Sequence, residues 1–185
     1  MRWAAVVLAG GKATRMGGVD KVALVVGGRS LLDRVVGAVV HADEVVVVGP
    51  RRATVHPVRW TREAESGAGP VAGLAAGLDL VTAEVVVLLA ADLPALTKAT
   101  VDRLRATPPA VLVDRGGRDQ WLLGAWPTAG LRAAMPAKLA DAALRKVLTG
   151  LAPVRLPDLD GSARDVDHPG DLADHVPSTG APFPE

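Results

Sequence analysis

The chain has no cysteine. That excludes disulfides, thiolate-bound zinc, iron–sulfur clusters and a cysteine nucleophile, and it fits a cytoplasmic protein. It has no tyrosine, one phenylalanine and four tryptophans in 185 residues. A surface that binds nucleic acid by stacking on bases needs more rings than that. An excess of one charge is missing too: 21 Lys and Arg face 20 Asp and Glu, for a net charge of +1. No overall field draws the chain to nucleic acid or to a membrane surface, so any phosphate it binds must be held by a local site. No apolar run reaches the ~20 residues of a membrane span. The apolar start, Trp3 to Ala9, reads as a buried strand and not as a signal peptide, because Gly10-Gly11-Lys12 follows at once.

What is present is Ala, Val, Leu and Gly, with 49% of residues apolar. Unbroken apolar runs predict strands buried on both faces, as in parallel sheets. These are Trp3–Ala9, Glu44–Val48, Glu84–Ala90, Ala110–Asp114 and Asp119–Trp126, with Pro153–Leu156 weaker and Val22–Val26 as a short edge strand. Helical spacing falls between them. Ser30–Val40 carries apolar residues at 31, 32, 35, 36, 39 and 40, with Ser30 placed to cap. Pro70–Leu80 has proline at its first position. Thr97–Thr107, Ala137–Leu148 and a short Asp171–Val176 complete the set. The alternation predicts an α/β three-layer sandwich with a Rossmann-like, mainly parallel sheet, in one domain over 1–176. The proline-rich tail 177–185 reads as disordered.

In such folds ligands sit at the carboxyl ends of the strands. After the first strand comes Leu8-Ala9-Gly10-Gly11-Lys12-Ala13-Thr14-Arg15-Met16-Gly17-Gly18-Val19-Asp20-Lys21. Glycines let backbone N–H groups turn toward an anion, and Arg15 and Lys21 supply charge that a triphosphate needs. It is not a P-loop: Val6 stands where the first glycine belongs, and Ala13 replaces the Ser or Thr after Lys12. It is not the dinucleotide fingerprint either, because Lys12 occupies the second glycine position.

Two further segments carry chemistry. Gly67-Ala68-Gly69-Pro70-Val71-Ala72-Gly73-Leu74 opens a helix whose small residues allow it to pack close to the first loop. The run from Val85 to Ala91 ends in Asp92-Leu93-Pro94, which delivers one carboxylate at the carboxyl end of a buried strand. Mg²⁺ favours one or two carboxylates together with phosphate oxygens and water, and Asp92 suits that role. The four histidines, 41, 56, 168 and 175, show no metal-ligand spacing. No G-x-S-x-G is present, which argues against a Ser-His-Asp hydrolase.

The loop L-A-G-G-x-x-x-R-M-G-G-x-D-K resembles the signature of the nucleotidyltransferase superfamily with GT-A-like fold, the nucleotide-diphospho-sugar transferase type. Within it, the paired glycines and Asp20-Lys21 look most like the molybdenum cofactor guanylyltransferases. The resemblance runs from residue 4 to about residue 174. It implies Mg²⁺-dependent transfer of GMP from GTP to molybdopterin-bound molybdenum, with release of pyrophosphate, in concert with cofactor-delivery proteins.

It also implies site residues. Leu8, Ala9, Gly10 and Gly11 meet base and ribose, and Arg15 and Lys21 meet the phosphates and share catalysis with Asp92. Gly69 and Pro70 line the nucleotide pocket. Glu63, with Glu65 as a rival, falls near a carboxylate that reads two guanine donors. Asp165-Val166-Asp167-His168-Pro169 resembles the family's N-x-N-T-P, with both Asn replaced by Asp, and makes Asp167 a second metal ligand beside Asp92. In Asp119-Gln120-Trp121, Trp121 stands where the family has Pro, either altering an acceptor pocket or covering a sheet edge. Arg115, Arg118 and Asp119 mark a loop where a large acceptor can dock, and Arg145-Lys146 a place for its phosphate. Two other readings remain: a CTP- or UTP-using nucleotidyltransferase, and a non-catalytic nucleotide- or pterin-binding module.

Overall fold

The computed structural model describes residues 1–10 and 21–164. The first glycine-rich loop between them, the Asp165–Asp167 segment, the expected helix Asp171–Val176 and the tail 177–185 lie outside the described residues.

Seven strands form the central sheet, in the order β5-β4-β1-β6-β8-β7-β9. These are β1 (Trp3–Leu8), β4 (Glu44–Val48), β5 (Arg59–Thr61), β6 (Val85–Ala90), β7 (Ala110–Val113), β8 (Asp119–Pro127) and β9 (Val154–Pro157). β1 lies at the heart of it, parallel to β4 on one side and to β6 on the other. β8 alone runs against its neighbours, antiparallel to both β6 and β7.

Alternate residues of each central strand enter opposite cores. Ala5, Val7, Val87 and Leu89 join one core with residues of α1 (Leu31–Ala38) and α3 (Lys98–Arg105). Ala4, Val6, Val86 and Leu88 join the other with α2 (Pro70–Leu78), α4 (Thr128–Ala134) and α5 (Leu144–Thr149). Both faces are covered, which is why these strands read as unbroken apolar runs without polar alternation. The three-layer expectation holds.

The helix starts follow local chemistry. Ser30 Oγ accepts the Asp33 N–H at 3.0 Å and caps α1. Thr97 does the same for α3 through the Thr100 N–H, at 3.1 Å. The turn after β9 folds onto that same helix start. Asp160 accepts from the Thr97, Thr100 and Ser162 hydroxyls at 2.6, 3.0 and 2.6 Å. Partial burial works to raise its pKa, but the hydrogen bonds from Ser162, Thr97 and Thr100 outweigh it and hold the carboxyl well below the usual carboxylate range. The folded pKa is depressed, so this stabilisation is present above pH ~4 and lost as pH falls below it. Asp160→Ala is expected to lower the thermal midpoint at pH 7 by several degrees, and the gap from the unaltered protein should narrow when melts are repeated at pH 3.

Two expectations from sequence are corrected, and two elements had no expectation. The segment expected as helix Ala137–Leu148 is helical only from Leu144. Asp141 takes φ 58° and gives its N–H to Ala68 O at 3.0 Å, a long-range tie that breaks the helical spacing. Val22–Val26 is not an edge strand of the main sheet. A 3₁₀ turn, Lys21–Ala23, leads into β2 (Val25–Val26), which pairs with β3 (Arg29–Ser30) in a separate ribbon. Gly27 and Gly28, both at positive φ, make the hairpin between them. Helix α4 had no expectation, since Pro127 and Gly130 dilute its pattern. The three-residue β5 had none either, being short and partly exposed.

Candidate active site

Because β1, β4 and β6 are parallel, their carboxyl ends come to one edge of the sheet. There the chain leaves β1 held on both sides. The Ala9 N–H donates to Val48 O at 2.8 Å, and the Ala91 N–H donates to Leu8 O at 3.1 Å. The end of β4 is equally close. A Cβ on Gly49 would lie 2.8 Å from the Ala9 carbonyl carbon, so only glycine leaves the two backbones in contact. This contribution of β4 carries no motif. Its one trace in the sequence is a glycine directly after an apolar strand.

Three of the sequence-predicted elements converge on this edge. Glu63 is half-buried, and its carboxylate lies beside Gly10: a Cβ there would sit 3.8 Å from Glu63 Oε1. The Gly67 N–H donates to the same oxygen at 3.1 Å and fixes its position. The rival Glu65 is exposed. Gly69, at φ 96°, and Pro70 start α2, and Gly73 brings the helix against Leu8, with a Cβ position 3.4 Å from Leu8 Cδ2. The second motif thus packs directly against the first. Asp92 follows β6 in a turn, half-buried. Lys21 opens the 3₁₀ turn at the far end of the glycine-rich loop. Gly11, Arg15 and Asp167 lie outside the described residues.

A carboxylate just past the end of a buried strand, at the edge where the carboxyl ends of parallel strands meet, can hold one divalent cation against the phosphates of a bound nucleotide. Among the described residues no group of three or more His, Asp or Glu could hold a metal ion by itself.

The β7–β8 turn is organised by its own charges. Asp114 Oδ1 accepts the Gly116 and Arg118 N–H groups at 2.8 and 3.0 Å, and its Oδ2 accepts from Gln120 Nε2 at 2.8 Å. The Arg118 N–H, against the smaller contrary effect of burial, holds the Asp114 carboxyl below its ordinary range. Arg118 also pairs with Asp114 at 3.4 Å, and Asp119 pairs with Arg155 at 2.6 Å. Two of the three residues read as a dock for an acceptor are therefore already paired, Arg118 within the turn and Asp119 with Arg155 of β9. Arg145 and Lys146 lie exposed on α5. Trp121 covers no sheet edge, because β8 lies between β6 and β7. No helix among the described residues is long and apolar enough to cross a membrane.

Comparison with known proteins places the chain in a family. The model of the MobA-like NTP transferase domain matches residues 5–156. A molybdenum cofactor guanylyltransferase from Rhodobacter capsulatus is 37% identical over 136 residues, covering 70% of each chain. One from Acidiphilium cryptum is 34% identical over 163 residues, covering 82% of this chain and 76% of its own. Among solved structures, a molybdopterin-guanine dinucleotide biosynthesis protein A from Archaeoglobus fulgidus superposes with a TM-score of 0.71 at 19% identity, covering 93% of this chain and 96% of its own. A 2-C-methyl-D-erythritol 4-phosphate cytidylyltransferase from Thermus thermophilus gives 0.67 at 22%, covering 95% and 97%. These two show the shared fold. The chain belongs to the MobA-like NTP transferase family, that of the molybdenum cofactor guanylyltransferases, and is a nucleotidyltransferase.

Proposed function

We propose that the enzyme transfers GMP from GTP to the phosphate of a molybdopterin-type molybdenum cofactor, with Mg²⁺, and releases pyrophosphate. The observation that carries this reading is the Glu63 carboxylate against Gly10, on the loop that takes the base. Guanine offers two adjacent donors, N1–H and the N2 amine, and a carboxylate accepts both. Cytosine and uracil do not present that pair.

The chemistry is in-line displacement. A phosphate oxygen of the acceptor forms a bond to the α-phosphorus of GTP, the bond to the bridging oxygen breaks, and pyrophosphate leaves with that electron pair. No protein nucleophile is required, since the acceptor phosphate is already ionised. The protein aligns two anions and compensates their charge. Leu8 to Gly11 hold base and ribose, Gly69 and Pro70 wall the pocket, and Arg15 and Lys21 pair with the triphosphate. Asp92, joined by Asp167, would hold Mg²⁺, which when bound offsets negative charge on the phosphates.

Thermal melts with GTP, CTP, UTP and ATP, each with and without Mg²⁺, test the reading. A ligand at one hundred times its dissociation constant stabilises by about 2.7 kcal/mol. A shift selective for GTP and larger with Mg²⁺ supports it. Selectivity for CTP or UTP moves the enzyme to another nucleotidyltransferase branch, and no shift with any of the four removes the catalytic reading. Glu63 has its own test. Glu63→Gln should cut kcat/KM for GTP by about 10- to 100-fold, the worth of hydrogen bonds to a charged group. ITP lacks the N2 amine, so its kcat/KM should fall less and the GTP/ITP ratio should collapse. An unchanged ratio would take the base away from Glu63.

A further inference from the structure

Trp121 stands where the resemblance leads one to expect proline, and the fold gives it an unusual setting. The β7–β8 register breaks there: Val111 pairs with Gly124, yet Leu112 pairs with Gln120, so residues 121–123 bulge out of the ladder. Bulges of this kind re-aim side chains and are common beside active sites. Strict alternation along β8 would send Trp121 to the same face as Leu123 and Ala125, in the first core. The bulge turns it to the other face. Its ring stacks on Trp126, centroids 6.4 Å apart and planes 23° from parallel. Trp126 is fully buried, and Gly124 makes room for it, since a Cβ there would lie 2.9 Å from its ring. Trp121 is only half-buried and packs at the margin of the second core, as do Leu8, Leu122 and Leu139.

Its level along the sheet matters. The last β6–β8 pair is Leu89 with Leu123. Trp121 lies two residues beyond, at the end where β6 gives way to the turn bearing Asp92. The result is a half-buried indole backed by a buried ring, level along the sheet with the turn that bears the proposed catalytic carboxylate, and packed with the core that α2 helps to build.

We propose that Trp121 is a specificity-determining residue for the acceptor: a flat, fused-ring heteroaromatic group stacks on its open face while the acceptor's phosphate reaches the nucleotide. This rests on the reading of a pterin acceptor. Stacking on an aromatic side chain is worth enough to see by substitution, since it contributes ~1–3 kcal/mol per ring, or about 5- to 150-fold.

The test is calorimetric binding of carboxypterin, a stable pterin, to the full chain saturated with GTP. W121L keeps apolar volume without a ring, and W121F keeps a ring. W121L should weaken carboxypterin binding about tenfold or more, W121F should restore most of it, and the affinity for GTP should stay within about twofold in both. Equal carboxypterin affinity in all three proteins overturns the assignment. So does a fall in GTP affinity that matches the fall for carboxypterin, which would give Trp121 a general structural part. If the unaltered chain binds GTP but no carboxypterin, the pterin acceptor itself fails, and the assignment with it. If the unaltered chain binds both and W121L does too, the assignment alone fails.

Discussion

Asp92→Ala is expected to lower pyrophosphate release from GTP by about a thousandfold or more, while the chain stays folded. Removing one preorganised electrostatic group from a reacting centre costs about 10²–10³ in rate. Loss of the proposed metal carboxylate would take charge compensation from two anions at once, which sets the loss at the upper end or beyond. The fold should survive because its support lies in the strands. Leu88 and Leu89 are fully buried, and the turn is tied back by the Ala91 N–H on Leu8 O. Asp92 itself is half-buried. Steady-state rates across a Mg²⁺ series would check this, together with GTP binding without Mg²⁺. Binding should be little changed without the ion, and high Mg²⁺ should recover only part of the lost rate. Near-normal turnover of Asp92→Ala at low Mg²⁺ would remove the metal from this residue.

Leu88→Ala is expected to cost about 2–5 kcal/mol of stability, the range for emptying a fully buried leucine site. Leu88 is 0% exposed and sits on the central strand β6, against α2, α4 and α5. Its backbone is fastened on both sides, parallel to β1 and antiparallel to β8, so the site cannot collapse around the missing methyls. The control is Val25→Ala, on the small β2–β3 ribbon at 66% exposure, which should stay within about 0.5 kcal/mol. Urea unfolding of both would decide it, with the midpoint falling for Leu88→Ala at an unchanged slope. A loss below about 1 kcal/mol would mean that the second core repacks, contrary to its close-packed geometry.

Much of the architecture is legible in the sequence, for a reason that particular elements make plain. β1, β4 and β6 announce themselves because both their faces are buried, so every residue must be apolar. Ser30 and Pro70 mark helix starts because capping and the fixed φ of proline act within one turn. The glycine-rich loop and the Asp92 strand end stood out because their chemistry needs residues in fixed order along the chain. Elements that depend on distant partners left no such trace. β5 is three residues whose strand partner among the described residues is β4. The helix expected from Ala137 is interrupted by the bond from Asp141 to Ala68, residues far apart in sequence.

The candidate site divides along the same line. Leu8 to Gly10, Gly69, Pro70 and Asp92 could be named from local pattern, yet only the tertiary structure brings Glu63 to Gly10 in preference to Glu65. Only the tertiary structure reverses β8, inserts it between β6 and β7, and turns Trp121 onto Trp126 level with the end of β6. The sequence by itself determined the apolar strands, the capped helices and the two motifs, because hydrophobic period and backbone preference act over a few residues. Strand order, strand direction and the meeting of side chains from different loops were decided by the packing of both sheet faces at once, which no short window of sequence contains.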